Sequence, residues 1–212
     1  MGEFTYEKKD RTSALERYEW DNVWWEQTER QDALRAAYIG DSISCATRKR
    51  ITALSGNTLL TDGFGTSKAL DNAYFYETLR LFLRQQGYRT VILFNNGLHG
   101  WHLEDGGEYA EAYDRMISFL EKECPDIPIL ILLTTRVADA ERNERVKARN
   151  RAALSVAKKH GLEVVDLYDA VSEHMISSDG VHLIPEGYDS LAQTILTAVK
   201  PFLTGRKTLR EE

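Results

Sequence analysis

The sequence predicts a single α/β domain, a mainly parallel sheet enclosed by helices, and three observations carry that expectation. Short apolar runs recur as Ala36-Ala37-Tyr38-Ile39, Val91-Ile92-Leu93-Phe94, Ile129-Leu130-Ile131-Leu132-Leu133 and Leu162-Glu163-Val164-Val165. Runs of this length and composition read as strands buried on both faces. Amphipathic stretches of helix length lie between them, which is what parallel crossovers require. The four prolines, Pro125, Pro128, Pro185 and Pro201, fall near expected element ends, and no repeat or low-complexity tract interrupts the 212 residues. One domain spanning 1–212 follows.

Taken in order, residues 1–33 read as an N-terminal helical extension packed on that domain. Trp20 and Trp24 share one helical face there, and with Trp25 they suit core or dimer anchors better than a sugar platform. The strand at 36–39 runs into Gly40-Asp41-Ser42 and a helix. A weaker strand at 57–60 precedes a loop from Thr61 to Ser67. The next helix, Leu70 to Leu83, turns Phe75, Leu79, Phe82 and Leu83 inward; after the strand at 91–94, the helix from Tyr109 to Leu120 does the same with Tyr113, Ile117 and Leu120. A helix near 143–160 follows the strand at 129–133. Its charged run from Arg142 to Arg151 reads as a solvated face, with Glu141 and Glu144 at helical spacing from its basic residues. After the strand at 162–165, the last helix covers 186–200 behind Pro185, with Leu191, Ile195, Leu196 and Val199 inward.

Composition narrows the function classes. With 42% hydrophobic and 28% charged residues the chain is neither disordered nor a disulfide-stapled scaffold. Its 27 Lys and Arg against 33 Asp and Glu give a net charge of −6, which disfavours nucleic acid as a partner. No apolar run is long enough for a membrane span or a signal-peptide core, and Cys45 and Cys124 are the only cysteines. A cytoplasmic location with reduced thiols is the expectation.

Ligands of a parallel sheet sit beyond the carboxyl ends of its strands, and three such blocks hold reactive residue types. In Gly40-Asp41-Ser42 a hydroxyl stands at the positive end of a helix, where developing negative charge is favoured; the same residues could simply cap that helix. In Asp179-Gly180-Val181-His182 a carboxylate and an imidazole can meet in one turn, supplying a base and the group that orients it. A plain surface turn fits those four residues as well. Asn95 follows a strand directly and could aim its carboxamide at an oxyanion, although Asn95-Asn96-Gly97 is also good turn chemistry. His99 and His102 are three apart, but without further ligands a metal site is set aside. No cofactor is called for.

Together these blocks resemble the SGNH (GDSL-like) hydrolase family: Gly40-Asp41-Ser42 near the start, Asn95 after a later strand and Asp179-Gly180-Val181-His182 near the end. The resemblance covers nearly the whole chain. It implies a three-layer αβα sandwich with a flavodoxin-like, mainly parallel five-stranded sheet, and ester hydrolysis without a metal. It makes Ser42 the nucleophile, His182 the base and Asp179 its partner, with an oxyanion hole from Ser42 N–H, Gly65 N–H (in preference to Gly63) and the Asn95 side chain. It also brings Asn150 toward the site loops. The family's Gly-x-Asn-Asp block is departed from, since Leu93-Phe94-Asn95-Asn96 lacks both glycine and acid. Trp101 and His102, in the loop past Asn95, are candidate substrate-binding residues of the pocket wall. The expected function is removal of a short acyl group, acetyl first, from a small hydroxylated or carbohydrate-like ester. The alternatives are acyl transfer or thioester hydrolysis by the same residues, or glycan binding without catalysis. An α/β-hydrolase elbow is disfavoured because Gly40-Asp41-Ser42-Ile43-Ser44 lacks its second glycine.

Overall fold

The structure is a computed structural model that describes Leu15, residues 18–85 and residues 88–204. Residues 1–14, 16 and 17 of the expected N-terminal extension lie outside the described residues.

Six strands form one sheet: β1 (Asp21–Trp24), β2 (Leu34–Gly40), β3 (Leu59–Thr66), β4 (Val91–Phe94), β5 (Ile129–Leu132) and β6 (Glu163–Val165), in the order β1-β3-β2-β4-β5-β6. The body from β2 to β6 is parallel throughout. Numbered on their own, those five strands run 2-1-3-4-5, the flavodoxin-like order. The sixth strand is the addition: β1 lies antiparallel on the outer edge of β3, with Asp21 opposite Thr66 and Trp24 opposite Gly63.

Two sequence expectations are corrected at this edge. Residues 21–24 are strand rather than helix, because successive side chains there point to opposite faces. Lys49 Nζ stands 4.2 Å from the centre of the Trp24 ring on one side, and Trp25 stacks on Phe82 on the other, with 4.7 Å between centroids. The segment from Thr61, expected as a loop, is the continuation of β3 to Thr66. Its glycines are there for close approach: a Cβ on Gly63 would collide with the Arg48 guanidinium, and one on Gly65 with Cys45 Sγ.

Helices α1 (Ser42–Leu54) and α5 (Pro185–Leu203) cover one face of the sheet, and α2 (Ala73–Gln85), α3 (Gly107–Glu123) and α4 (Ala140–His160) cover the other. The pleat of β2 divides the core between them. Ala37 and Ile39 face Phe75, Leu79, Tyr113 and Ile117, while Ala36 and Tyr38 face Ile43, Ile51, Leu191 and Ile195. Each fully buried Leu, Ile or Phe among them stabilises the fold by about 1.5–3 kcal/mol over exposure. The solvated face expected for Arg142 to Arg151 is a third correction. Arg149 is 0% exposed and Asn150 is buried, since both share the inward stripe of α4 with Val146 and Ala153. Among the described residues, no helix is long and apolar enough to cross a membrane.

Candidate active site

Strand order reverses between β2 and β4, so the loops beyond their carboxyl ends flank the crevice where ligands of such sheets bind. The β2 loop is short. Asp41 ends it as the N-cap of α1, its Oδ1 accepting from Ile43 N–H at 2.9 Å, while Ser44 Oγ donates to Asp41 O at 2.6 Å. Capping therefore falls to Asp41 and leaves the hydroxyl of Ser42, first residue of the helix, turned to the crevice. The helix dipole favours negative charge developing at that point.

The partner of that hydroxyl arrives from a position 140 residues away. His182 Nε2 lies 2.9 Å from Ser42 Oγ, and its Nδ1 lies 2.7 Å from Asp179 Oδ2. An ionised carboxylate can only accept, so Nδ1 carries the imidazole proton and Nε2 accepts from the Ser42 hydroxyl. The turn is held by local hydrogen bonds: Asp179 Oδ1 accepts from Val181 N–H and His182 N–H, both at 2.9 Å, and from Ser177 Oγ at 2.8 Å. Gly180 has φ +80°, a backbone region that a side chain would strain, and its carbonyl accepts from Ala138 N–H at 2.8 Å, tying the turn to the loop after β5. Partial burial pushes the Asp179 carboxyl upward. The N–H groups of Val181 and His182, the His182 ring and the Ser177 hydroxyl outweigh that and hold it well below the ordinary carboxylate range.

Sequence reading and structure part company at the oxyanion donors. Asn95 Nδ2 donates to Leu132 O at 2.8 Å and to Thr134 Oγ1 at 3.1 Å, so both of its hydrogens are spent across β4 and β5. Gly65 lies opposite Gly40, beside the Ser42 turn, yet its N–H points elsewhere. Leu34 N–H donates to Thr58 O, which gives β2 the N–H groups of the even-numbered β3 residues. Leu59 and Thr61 N–H accordingly go to Ser55 Oγ and Thr52 Oγ1, and the same parity turns the Gly65 N–H toward Asn22 of β1. Ser42 N–H, at the start of α1, is the expected donor that stays beside the hydroxyl.

The remaining candidates are built into the loop between β4 and α3. His102 Nε2 pairs with Asp71 Oδ2 at 2.8 Å, and the Trp101 ring carries the guanidiniums of Arg142, Arg145 and Arg149 at 5.3, 4.9 and 4.2 Å from its centre. Asn150 does reach a site loop: its Oδ1 accepts from Thr134 N–H at 2.8 Å and its Nδ2 donates to Thr134 O at 2.9 Å. What the sequence reading missed is Arg149. Its position, three residues after Val146 and four before Ala153, was the available signal. Among the described residues, no group of three or more His, Cys, Asp or Glu side chains is placed to hold a metal ion.

Comparison with known proteins agrees with this architecture. The chain resembles the solved structure of Est24, a carbohydrate acetylesterase from Sinorhizobium meliloti, at 14% identity and a TM-score of 0.65, over 80% of this chain and 100% of that one. It resembles a GDSL-like lipase from Bacteroides thetaiotaomicron at 17% identity and 0.60, over 85% and 93%. A carbohydrate esterase family 3 protein from Talaromyces cellulolyticus follows at 12% and 0.62, over 84% and 99%. At these identities the likeness is one of fold. A search of curated proteins found no match. The model of the GDSL-like lipase/acylhydrolase family matches residues 20–189, a span that runs from the edge strand to the first turn of α5 and holds Ser42, Asp179 and His182, and the chain is therefore a member of that family of ester hydrolases.

Proposed function

We propose that the protein is a serine esterase that removes short acyl groups, acetyl first, from a small hydroxylated or carbohydrate-like substrate. The observation that carries the reading is the unbroken chain from Asp179 through His182 to Ser42 Oγ at the N-terminus of α1. Ser42 Oγ attacks the ester carbonyl carbon while His182 Nε2 takes its proton, and Asp179 stabilises the imidazolium that forms. The oxyanion is met by Ser42 N–H and the positive end of α1. His182 returns the proton to the departing alcohol, leaving an acyl group on Ser42. Water then gives a proton to His182 as it attacks the acyl carbon, and His182 passes that proton to Ser42 Oγ as the acyl–serine bond breaks, releasing the carboxylic acid and restoring the hydroxyl. The carbohydrate acetylesterase among the similar structures supports acetyl as the first acyl group to try.

The test is turnover of a small activated acetate ester. Wild type hydrolyses it, and Ser42→Ala, with an unchanged thermal midpoint, loses about 10⁴-fold or more in kcat. Equal turnover by the two proteins overturns the assignment. On a series of esters, kcat/KM is highest for acetyl or propionyl; a steady rise to octanoyl and beyond would make the site a long-chain one instead.

A further inference from the structure

The loop from Asn95 to Gly106 has no ladder of its own, and two arginines of α4 organise it, Arg149 from within and Arg145 from the rim. Arg149 of α4 spends all five N–H donors there. Nη1 reaches His99 O at 2.7 Å and Gly97 O at 3.3 Å, Nη2 reaches Gly100 O at 2.7 Å and Leu103 O at 3.5 Å, and Nε donates to Asp105 Oδ1 at 3.0 Å. The guanidinium lies over the rings of Trp101, at 4.2 Å, and Tyr109, at 4.6 Å. Arg145 braces the same acid, Nε to Asp105 Oδ2 at 2.6 Å, and its Nη2 donates to Trp101 O at 2.9 Å and to Leu103 O at 3.4 Å.

A fully buried guanidinium is costly, and it persists where its donors are all matched. Here the matched groups are four carbonyls of one loop. That loop starts beside Ser42: Asn95 N–H donates to Ile39 O at 3.0 Å, Leu98 packs with Ile43 in the same apolar cluster, and Leu98 borders a small cavity together with Asp41, Ile43 and Ser44. His99 sets its ring edge-on to Trp20, 6.2 Å between centroids, and Trp20 stands against Gly65. Leu98, across that cavity, and His99, through Trp20 and Gly65, thus link the Arg149-held backbone to the turn that bears the hydroxyl. Gly97 marks how closely the loop seats, since a Cβ there would overlap Thr134 Oγ1.

We propose that Arg149 is a positioning residue of the esterase site, setting the backbone of residues 97–103 and through Leu98 and His99 the wall beside the Ser42 turn. The inference rests on the serine-esterase reading. Only a planar fork can serve four carbonyls and a carboxylate from one point, so lysine, with three donors on a single nitrogen, keeps the charge and loses the pattern. A displacement of about 1 Å near a reacting centre costs up to about 10²-fold in rate.

The experiment compares Arg149→Lys with wild type on acetyl and butyryl esters, well below the thermal midpoint of each protein. The expected result is a fall in kcat of about 10–100-fold, a KM within about threefold, and a changed ratio of acetyl to butyryl kcat/KM. A purely structural role lowers the folded fraction, which scales both esters alike and leaves that ratio untouched. Arg151→Gln, which alters an exposed residue of the same helix, keeps wild-type kinetics. Should Arg149→Lys fail to fold, Asp105→Asn keeps the shape, loosens the grip on Arg149 Nε together with that on Arg145, and is expected to shift the same ratio. A folded Arg149→Lys or Asp105→Asn protein with the wild-type ratio and kcat overturns the proposal. Persistence of turnover in Ser42→Ala is a separate result, and it would overturn the underlying esterase reading.

Discussion

Asn95 shows how one side chain can suit two incompatible jobs. As an oxyanion donor it would point an N–H at Ser42; as found, its carboxamide joins the end of β4 to Leu132 O and Thr134 Oγ1 on the far side. Truncation then leaves the Leu132 carbonyl without that donor, at a cost of about 1–3 kcal/mol, and each kcal/mol lowers the midpoint of a chain this size by about 2–4 °C. Asn95→Ala is therefore expected to unfold at a visibly lower temperature while keeping kcat within about tenfold of wild type. Loss of a true oxyanion donor would cost about 10²–10³ in kcat at an unchanged midpoint, and thermal scans beside initial rates separate the two. The sequence could place Asn95 at a strand end but could not say which way its amide faces, because that depends on acceptors 37 and 39 residues away.

Elements were most legible where the period of apolar residues was long. Helices α2, α3 and α5 follow from their stripes, and β2, β4 and β5 from uninterrupted apolar runs. What hid β1 and the second half of β3 is that their residue types serve packing rather than propensity. Asp62 lies mid-strand because it meets Arg35 in a buried pair, Nη2 to Oδ1 at 2.6 Å, and Gly63 and Gly65 are strand residues because α1 rests on them. A lone chain segment reads as a loop when it holds Asp and two glycines; only the presence of Arg35, Arg48 and Cys45 across the interface makes it a strand. That contact can be measured. Gly65→Ala is expected to destabilise by about 1–3 kcal/mol through overpacking on Cys45 Sγ, and Cys45→Ala in the same chain is expected to restore a good part of the loss. A double-mutant cycle in chemical denaturation reads the coupling; additive effects would mean that some other clash, such as that with Asp41 O, dominates.

At the scale of the whole molecule, the site exists only in the folded state, because its members come from the start of α1 and the turn before α5. The sequence carried their identities through Gly40-Asp41-Ser42 and Asp179-Gly180-Val181-His182, but not the supports beneath them: Arg149 hides in a charged run whose inward stripe is apparent only once α4 is docked. Assembly from distant segments also links the site to global stability through Asp179. In the folded protein its carboxylate accepts from Val181 N–H, His182 N–H, Ser177 Oγ and the His182 ring, and the unfolded chain lacks these partners. Its folded pKa thus lies below the ordinary 3.8, so the ionised group stabilises the fold fully above that value, and the contribution drains away as pH falls from 3.8 toward the lower folded value. Because the side chain is 44% exposed, solvent screening keeps the contribution modest. Other carboxyls are held low as well, Asp114 by Lys159 and His160 and Glu123 by Arg80, so the acid limb of the wild-type curve alone would not single out Asp179. The difference between wild type and Asp179→Asn does, since those groups are common to both. The midpoint of Asp179→Asn is expected to lie below that of wild type at about pH 5, and the gap to narrow steadily as the pH falls below 3.8. A gap that stays constant into that acid range would show that the Asp179 charge adds nothing to stability and that the turn is held by its geometry alone.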